Sequence, residues 1–192
     1  MATGIVARAL TQEGLPSVGT VLLWVTILSA AALTALYLAR MALYPDHVLA
    51  DFRDFSKAPG FFTIVVGLDV LASDLASQFR ADGPASALWI AAVVLGAILM
   101  YALVSQLTLA EGKPPVERAL NGSWLLLAVA TESISVAGIA VAPTLIGELP
   151  WLTLHELLFF ALGTYLLGGM LYLIVITLIF YRLVFLPMAP RD

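Results

Sequence analysis

The 192-residue sequence predicts an all-α fold of the polytopic transmembrane kind. Hydrophobic residues make up 61% of it and charged residues 11%, where soluble domains carry about a quarter charged. So little polar surface cannot cover a soluble fold, and a bilayer removes the requirement. Apolar windows of spanning length recur along the chain. A helix rising about 1.5 Å per residue needs about 20 residues to cross about 30 Å of hydrocarbon. The polar residues gather in short connections between those windows.

Taken in order, residues 1–10 are too short to cross and read as the closing turns of a helix or as an interfacial stub. Residues 18–43 are the first full span, charge-free until Arg40, whose guanidinium reaches back to the headgroups. The second span, 61–79, carries Asp69 and Asp74. The third, 84–110, has Pro84 in its first turn, where a missing N–H is harmless. Residues 121–142 form the fourth and carry Glu132, and 152–186 form the last, with Gly168-Gly169 at its middle allowing close packing or a bend. The connection 44–60 reads as a surface helix ending at Pro59-Gly60, and 111–121 holds Pro114-Pro115 and a short helical turn.

Lysine and arginine are retained on the cytoplasmic side during insertion. Arg40, Arg53, Lys57, Lys113, Arg118, Arg182 and Arg191 lie on one side of the bundle, and only Arg8 and Arg80 on the other. The expected protein is therefore a multi-pass protein of the cell (inner or plasma) membrane, with loops 44–60 and 111–121 and the C-terminus cytoplasmic. Tyr44, Trp89, Trp124, Trp151 and Tyr181 mark span ends as an aromatic belt, while Tyr101, Tyr165 and Tyr172 sit deeper and need partners for their hydroxyls.

The absence of cysteine excludes disulfides, thiolate metal sites and thiol nucleophiles, and His47 and His155 are too far apart in sequence to suggest a metal cluster. No metal and no cofactor is expected. A net charge of −4 without a basic patch argues against nucleic acid as a partner. No phosphate loop, dinucleotide fingerprint or nucleophile elbow is present, so the sequence supports no catalytic residue and no enzymatic activity.

The chemistry lies in two spans. On a helical wheel, Asp69, Ser73, Ser77, Asp74, Gly67 and Gln78 fall on one half of 61–79, opposite an aliphatic half. In 121–142 a weaker stripe gathers Ala128, Thr131, Glu132, Ser135 and Gly138, with Ser133 out of phase. Each intramembrane carboxylate costs about 2.5–3.5 kcal/mol if central and charged. With no lysine or arginine inside the spans, such acids are either protonated or set in a wet cavity. The expected arrangement turns the two polar flanks toward each other, with Gly67, Asp69, Ser73, Asp74, Ser77, Ala128, Thr131, Glu132, Ser135 and Gly138 as pore-lining or proton-coupling candidates. The competing reading makes the same residues interhelical packing contacts.

Four segments carry a resemblance: MATGIV at the start, DFRDFSKAPGFFTIVVG from Asp51, EGKPPVERALNGSWLLLAVATESISV from Glu111, and GGMLYLIVITLIFYRLVFLP from Gly168. Together they resemble the tellurite-resistance/C4-dicarboxylate transporter family, which includes the plant slow-type anion channels of guard cells. The resemblance implies ten helices in five hairpins, odd-numbered helices around a central pore, and a homotrimer. Residues 1–10 are then the tail of the first helix, 61–79 and 121–142 the third and fifth, and the spans from 18, 84 and 152 the outer second, fourth and sixth. By the same resemblance the chain is a partial one, lacking the last four helices. Glu132 stands where the family commonly has Gln, and Asp69 and Asp74 where uncharged polar residues are usual. The implied function is passage of small anions or C4-dicarboxylates, by channel or proton-coupled carrier, with a link to tellurite resistance. The implied partners are the lipid bilayer and a small anionic solute. The alternative is a structural membrane subunit or a nonfunctional truncated transporter.

Overall fold

The computed structural model describes residues 2–79, 81–149 and 152–186. Met1, Arg80, Trp151, Pro187 and Arg191, which enter the sequence reading, lie outside them. Among the described residues eight α-helices follow one another: α1 (Ala2–Gln12), α2 (Pro16–Leu43), α3 (Pro45–Arg53), α4 (Phe62–Asp74), α5 (Asp82–Leu109), α6 (Val116–Ala119), α7 (Leu126–Glu148) and α8 (Leu154–Phe185). Five stretches are long and apolar enough to cross a membrane: Pro16–Leu43, Ala58–Gln78, Gly83–Leu109, Gly122–Gly147 and Leu154–Phe185.

The long helices pair as three hairpins, α1–α2, α4–α5 and α7–α8. Of these, α4 also packs on both α1 and α7, and α5 packs on α7. An inner row α1–α4–α7 is thus backed by α2, α5 and α8. The core lies where α4, α5 and α7 meet, around Phe62, Val65, Leu103, Val141 and Leu145. The outer helices turn Leu28, Leu33, Leu36, Phe159, Leu166 and Leu173 outward. That exterior would be prohibitive in water and suits acyl chains.

Helix α1 lies along α2 after a tight connection through Gly14, whose φ of +85° is a left-handed conformation that favours glycine. Close approach then depends on Gly19, where a β-carbon would come 2.8 Å from the Ala7 carbonyl oxygen. Helix α7 continues beyond Ala142 and through Pro143 to Glu148. Neighbouring helices make a proline tolerable in a membrane helix by re-satisfying freed backbone groups. At the C-terminal end of α4, Asp74 is followed by a wide π-turn over Leu75–Phe79. Helix α8 opens on a capping box: Glu156 N donates to Thr153 Oγ1 (3.3 Å) and Thr153 N donates to Glu156 Oε2 (2.8 Å).

At the opposite end from Asp74, the connections between hairpins are tied together. Asn121 Nδ2 and Ser123 Oγ both donate to the Ser56 carbonyl (3.0 and 3.4 Å), Gln106 Nε2 to that of Arg53 (2.7 Å) and Arg182 Nη1 to that of Leu120 (2.6 Å). Asp51 accepts from Lys57 Nζ (2.8 Å) and from Arg40. The Lys57 hydrogen bond, then that from Arg40, holds the Asp51 carboxyl below the usual carboxylate range. A carboxylate lowered in the folded state contributes stability above its unfolded value, about 3.9, and that contribution is lost as pH falls through the folded value. The protection factors of the Ala58 and Gly60 amides, which bond to the Asp54 and Lys57 carbonyls, should therefore be unchanged from neutral pH to about pH 4 and fall below it. Loss of protection already between about pH 5 and 7 would contradict this ion pairing.

Candidate functional site

Helix α4 is held between two polar contacts. Toward α7, Ser133 Oγ donates to Asp69 Oδ2 at 2.6 Å and lies 2.9 Å from the Ala130 carbonyl of its own helix. Toward α1, Arg8 Nε and Nη2 both donate to Asp74 Oδ1, at 3.2 and 2.7 Å. Both aspartates are 1% exposed, and Asp69 Oδ1 and Asp74 Oδ2 are buried with no partner among the described residues. Val70 and Asp74 press on Gly4 of α1, where a β-carbon would meet both side chains.

These contacts fix how α4 is rotated. Asp69 looks at α7, whereas Val70 and Asp74 look at α1. At 3.6 residues per turn, Val66 and Ser73 fall between those two directions. They lie in the crease between the contacts that α4 makes with α1 and with α7, and both are buried there rather than open to solvent. On the α7 side the helix surface beyond Ser133 carries exposed Val129 and Val136.

The sequence-predicted residues divide accordingly. Ser73 lies in the crease, and Ser77, exposed, donates to the Ser73 carbonyl (2.7 Å). Gly67 is half-buried and faces open space: a β-carbon there would meet nothing within 4 Å. The stripe on α7 is turned away from α4, which corrects the expectation that the two polar flanks face each other. Ser135 Oγ donates to the Ala161 carbonyl of α8 (2.7 Å), and Glu132 and the Ala128 carbonyl abut Gly168 of α8. Gly138 receives the Trp89 indole of α5, whose Nε1 donates to the Ile134 carbonyl (2.9 Å). Thr131 Oγ1 donates to the Leu127 carbonyl one turn back (2.7 Å). With their single protons committed to carbonyls, Thr131 and Ser135 have none left to donate to an anion.

One further correction concerns charge. A basic residue does pair with an intramembrane acid: Arg8, placed by α1, with Asp74 buried beside it. The residue that sequence reasoning set aside, Ser133, is the one that meets Asp69. Its signal was present in its being the one polar residue out of phase with the α7 stripe. Among the described residues no group of three or more His, Cys, Asp or Glu is arranged to hold a metal ion.

Helices that meet through polar contacts inside an apolar exterior suit a membrane-embedded bundle. The family model for voltage-dependent anion channels, SLAC1, matches residues 1–192. The chain belongs to that family. No curated protein and no solved structure matches it. Asp69 is turned into the α4–α7 contact, and Asp74 is paired with a guanidinium. Membership in a channel family also makes the protein a transport rather than a catalytic one, in line with the missing catalytic motifs.

Proposed function

We propose that this chain forms part of the wall of a passive route for small anions, running along the crease where α1, α4 and α7 converge. The observation that carries the reading is that crease: in a chain of the anion-channel family, its floor is the one polar-edged line on α4 bounded by two other inner helices. Val66 and Ser73 would line it, with Ser133 at its margin and Ser77 at its outer opening. Asp69 would act behind the wall by orienting Ser133. Small inorganic anions are favoured over C4-dicarboxylates or tellurite-related oxyanions, because a dicarboxylate calls for two cationic contacts. Among the described residues Arg8 is the cation beside the crease. The functional unit in this reading is a homo-oligomer, a trimer by family resemblance, with the Arg40–Lys57 end of the bundle cytoplasmic.

The absence of cysteine allows a direct test. In proteoliposomes, Ser73→Cys should react with a small water-soluble thiosulfonate, and the modification should cut chloride flux at least severalfold. Leu28→Cys and Leu173→Cys, on the acyl-chain side, should stay unreactive. Unhindered flux after complete labelling at Ser73→Cys would place the route elsewhere. A packing-only role is the second reading, favoured by the commitment of Thr131 and Ser135 to helix contacts. It predicts a folded, correctly inserted protein with no chloride flux at all.

A further inference from the structure

The Arg8–Asp74 contact is an incomplete ion pair. A guanidinium and a carboxylate pair most strongly as a fork, with two nitrogens on two oxygens. Here Arg8 Nε and Nη2 converge on a single oxygen, Oδ1, and Asp74 Oδ2 is left buried without a partner. Arg8 has five N–H donors, and Nη1 makes no hydrogen bond among the described residues. The carboxylate is sealed at 1% exposure while the guanidinium keeps a 25% exposed edge. Nearby, Thr11 Oγ1 donates to the Ala7 carbonyl of its own helix (2.9 Å) and lies 3.4 Å from Gln78 Oε1, and the Gln78 side chain also faces Asp74. The donor to spare on the open side is therefore Arg8 Nη1, and the α1 edge that carries it borders the crease.

We infer that Arg8 is the outer anion-contact residue of this protein, a weak binding site for a small inorganic monoanion on its free guanidinium edge. This inference rests on the route proposed above. Asp74 gives the site its strength by neutralising most of the charge. Conduction needs binding favourable enough to admit an ion and weak enough to release it. An unpaired arginine in a medium of low dielectric would hold an anion too firmly. The paired one attracts through oriented N–H groups while adding almost no net charge.

The wild-type protein in proteoliposomes supplies the first test, with chloride exchanged for gluconate at constant ionic strength. Modification of Arg8 by phenylglyoxal, located by mass spectrometry, should proceed in gluconate and slow at least about threefold in chloride, with saturation. Arg8 unmodified in gluconate, or modified equally fast in both salts, overturns the inference. The second test is the chloride dependence of conductance. Arg8→Gln should raise the half-saturating concentration about fivefold or more. Asp74→Asn should lower it and reduce the maximal conductance. A mere latch between α1 and α4 would move both variants the same way, and that result also overturns the inference. Should either variant fail to fold, protection in the wild type decides alone. Flux without protection removes Arg8 and leaves the route standing, whereas protection without flux keeps the site and removes the route.

Discussion

Gly168→Ala should destabilise the protein by about 1–3 kcal/mol, while Gly169→Ala, one residue on, should leave stability unchanged or raise it by up to about 1 kcal/mol. The two substitutions are chemically identical, and the difference comes from where α8 touches α7. A β-carbon at Gly168 would come 3.1 Å from the Ala128 carbonyl oxygen and 3.2 Å from the Glu132 nitrogen, and closer still to Glu132 Cγ. Backbone atoms inside a helix cannot step aside, so the helices must separate along their length. The Ser135 to Ala161 hydrogen bond, on the same face, would stretch with them. At Gly169 a β-carbon meets nothing within 4 Å, and the gain in helix propensity is all that remains. Thermal unfolding in detergent, followed by loss of the monodisperse peak, measures both. Equal midpoints for the two variants would mean that α7 and α8 do not meet at this glycine.

Trp89→Ala should cost about 3–5 kcal/mol, the range for removing a large buried aromatic. Trp89 is buried in the groove left by Gly138, stands edge-on to Phe160 with ring centroids 6.0 Å apart, and donates to the Ile134 carbonyl. One side chain of α5 thus joins α7 and α8, and its loss leaves a cavity where all three helices meet. Trp89→Phe keeps a ring in the groove and loses the donor. Intramembrane hydrogen bonds average about 0.6 kcal/mol, so Trp89→Phe should recover most of the loss. A deficit in Trp89→Phe as large as in Trp89→Ala would mean that the hydrogen bond, not the packing, holds the junction. The same unfolding measurement separates the two.

Much of this architecture was legible in the residues because the bilayer imposes a length and a polarity that few sequences meet by accident. The spans were readable for that reason, and so was the half-polar character of α4. Helical spacing shows which residues share a face, yet it says nothing of which neighbour that face meets. For that reason the α7 stripe of Thr131, Glu132 and Ser135 could be listed but not aimed, and it turned out to face α8. Serine and threonine add a second ambiguity, since a hydroxyl in a helix readily returns its proton to a carbonyl one turn back, as Thr131 does. The Arg8–Asp74 pair spans 66 positions in sequence and becomes visible only once α1 is known to lie on α4. The Thr153-x-x-Glu156 cap, by contrast, was written locally.

The wide turn over Leu75–Phe79 closes the helical segment that α4 begins. Below it, adding or deleting one amino acid would swing every later side chain by about 100°, carrying Asp69 or Ser73 off its neighbour. Within Leu75–Phe79 the backbone already accommodates a surplus residue. Losing one there would tighten the coil locally while the lower portion kept its bearings. Natural variation in chain length is therefore best absorbed at this outer tip, just above the ion pair, where indels can accumulate without disturbing the deeper part of the membrane segment.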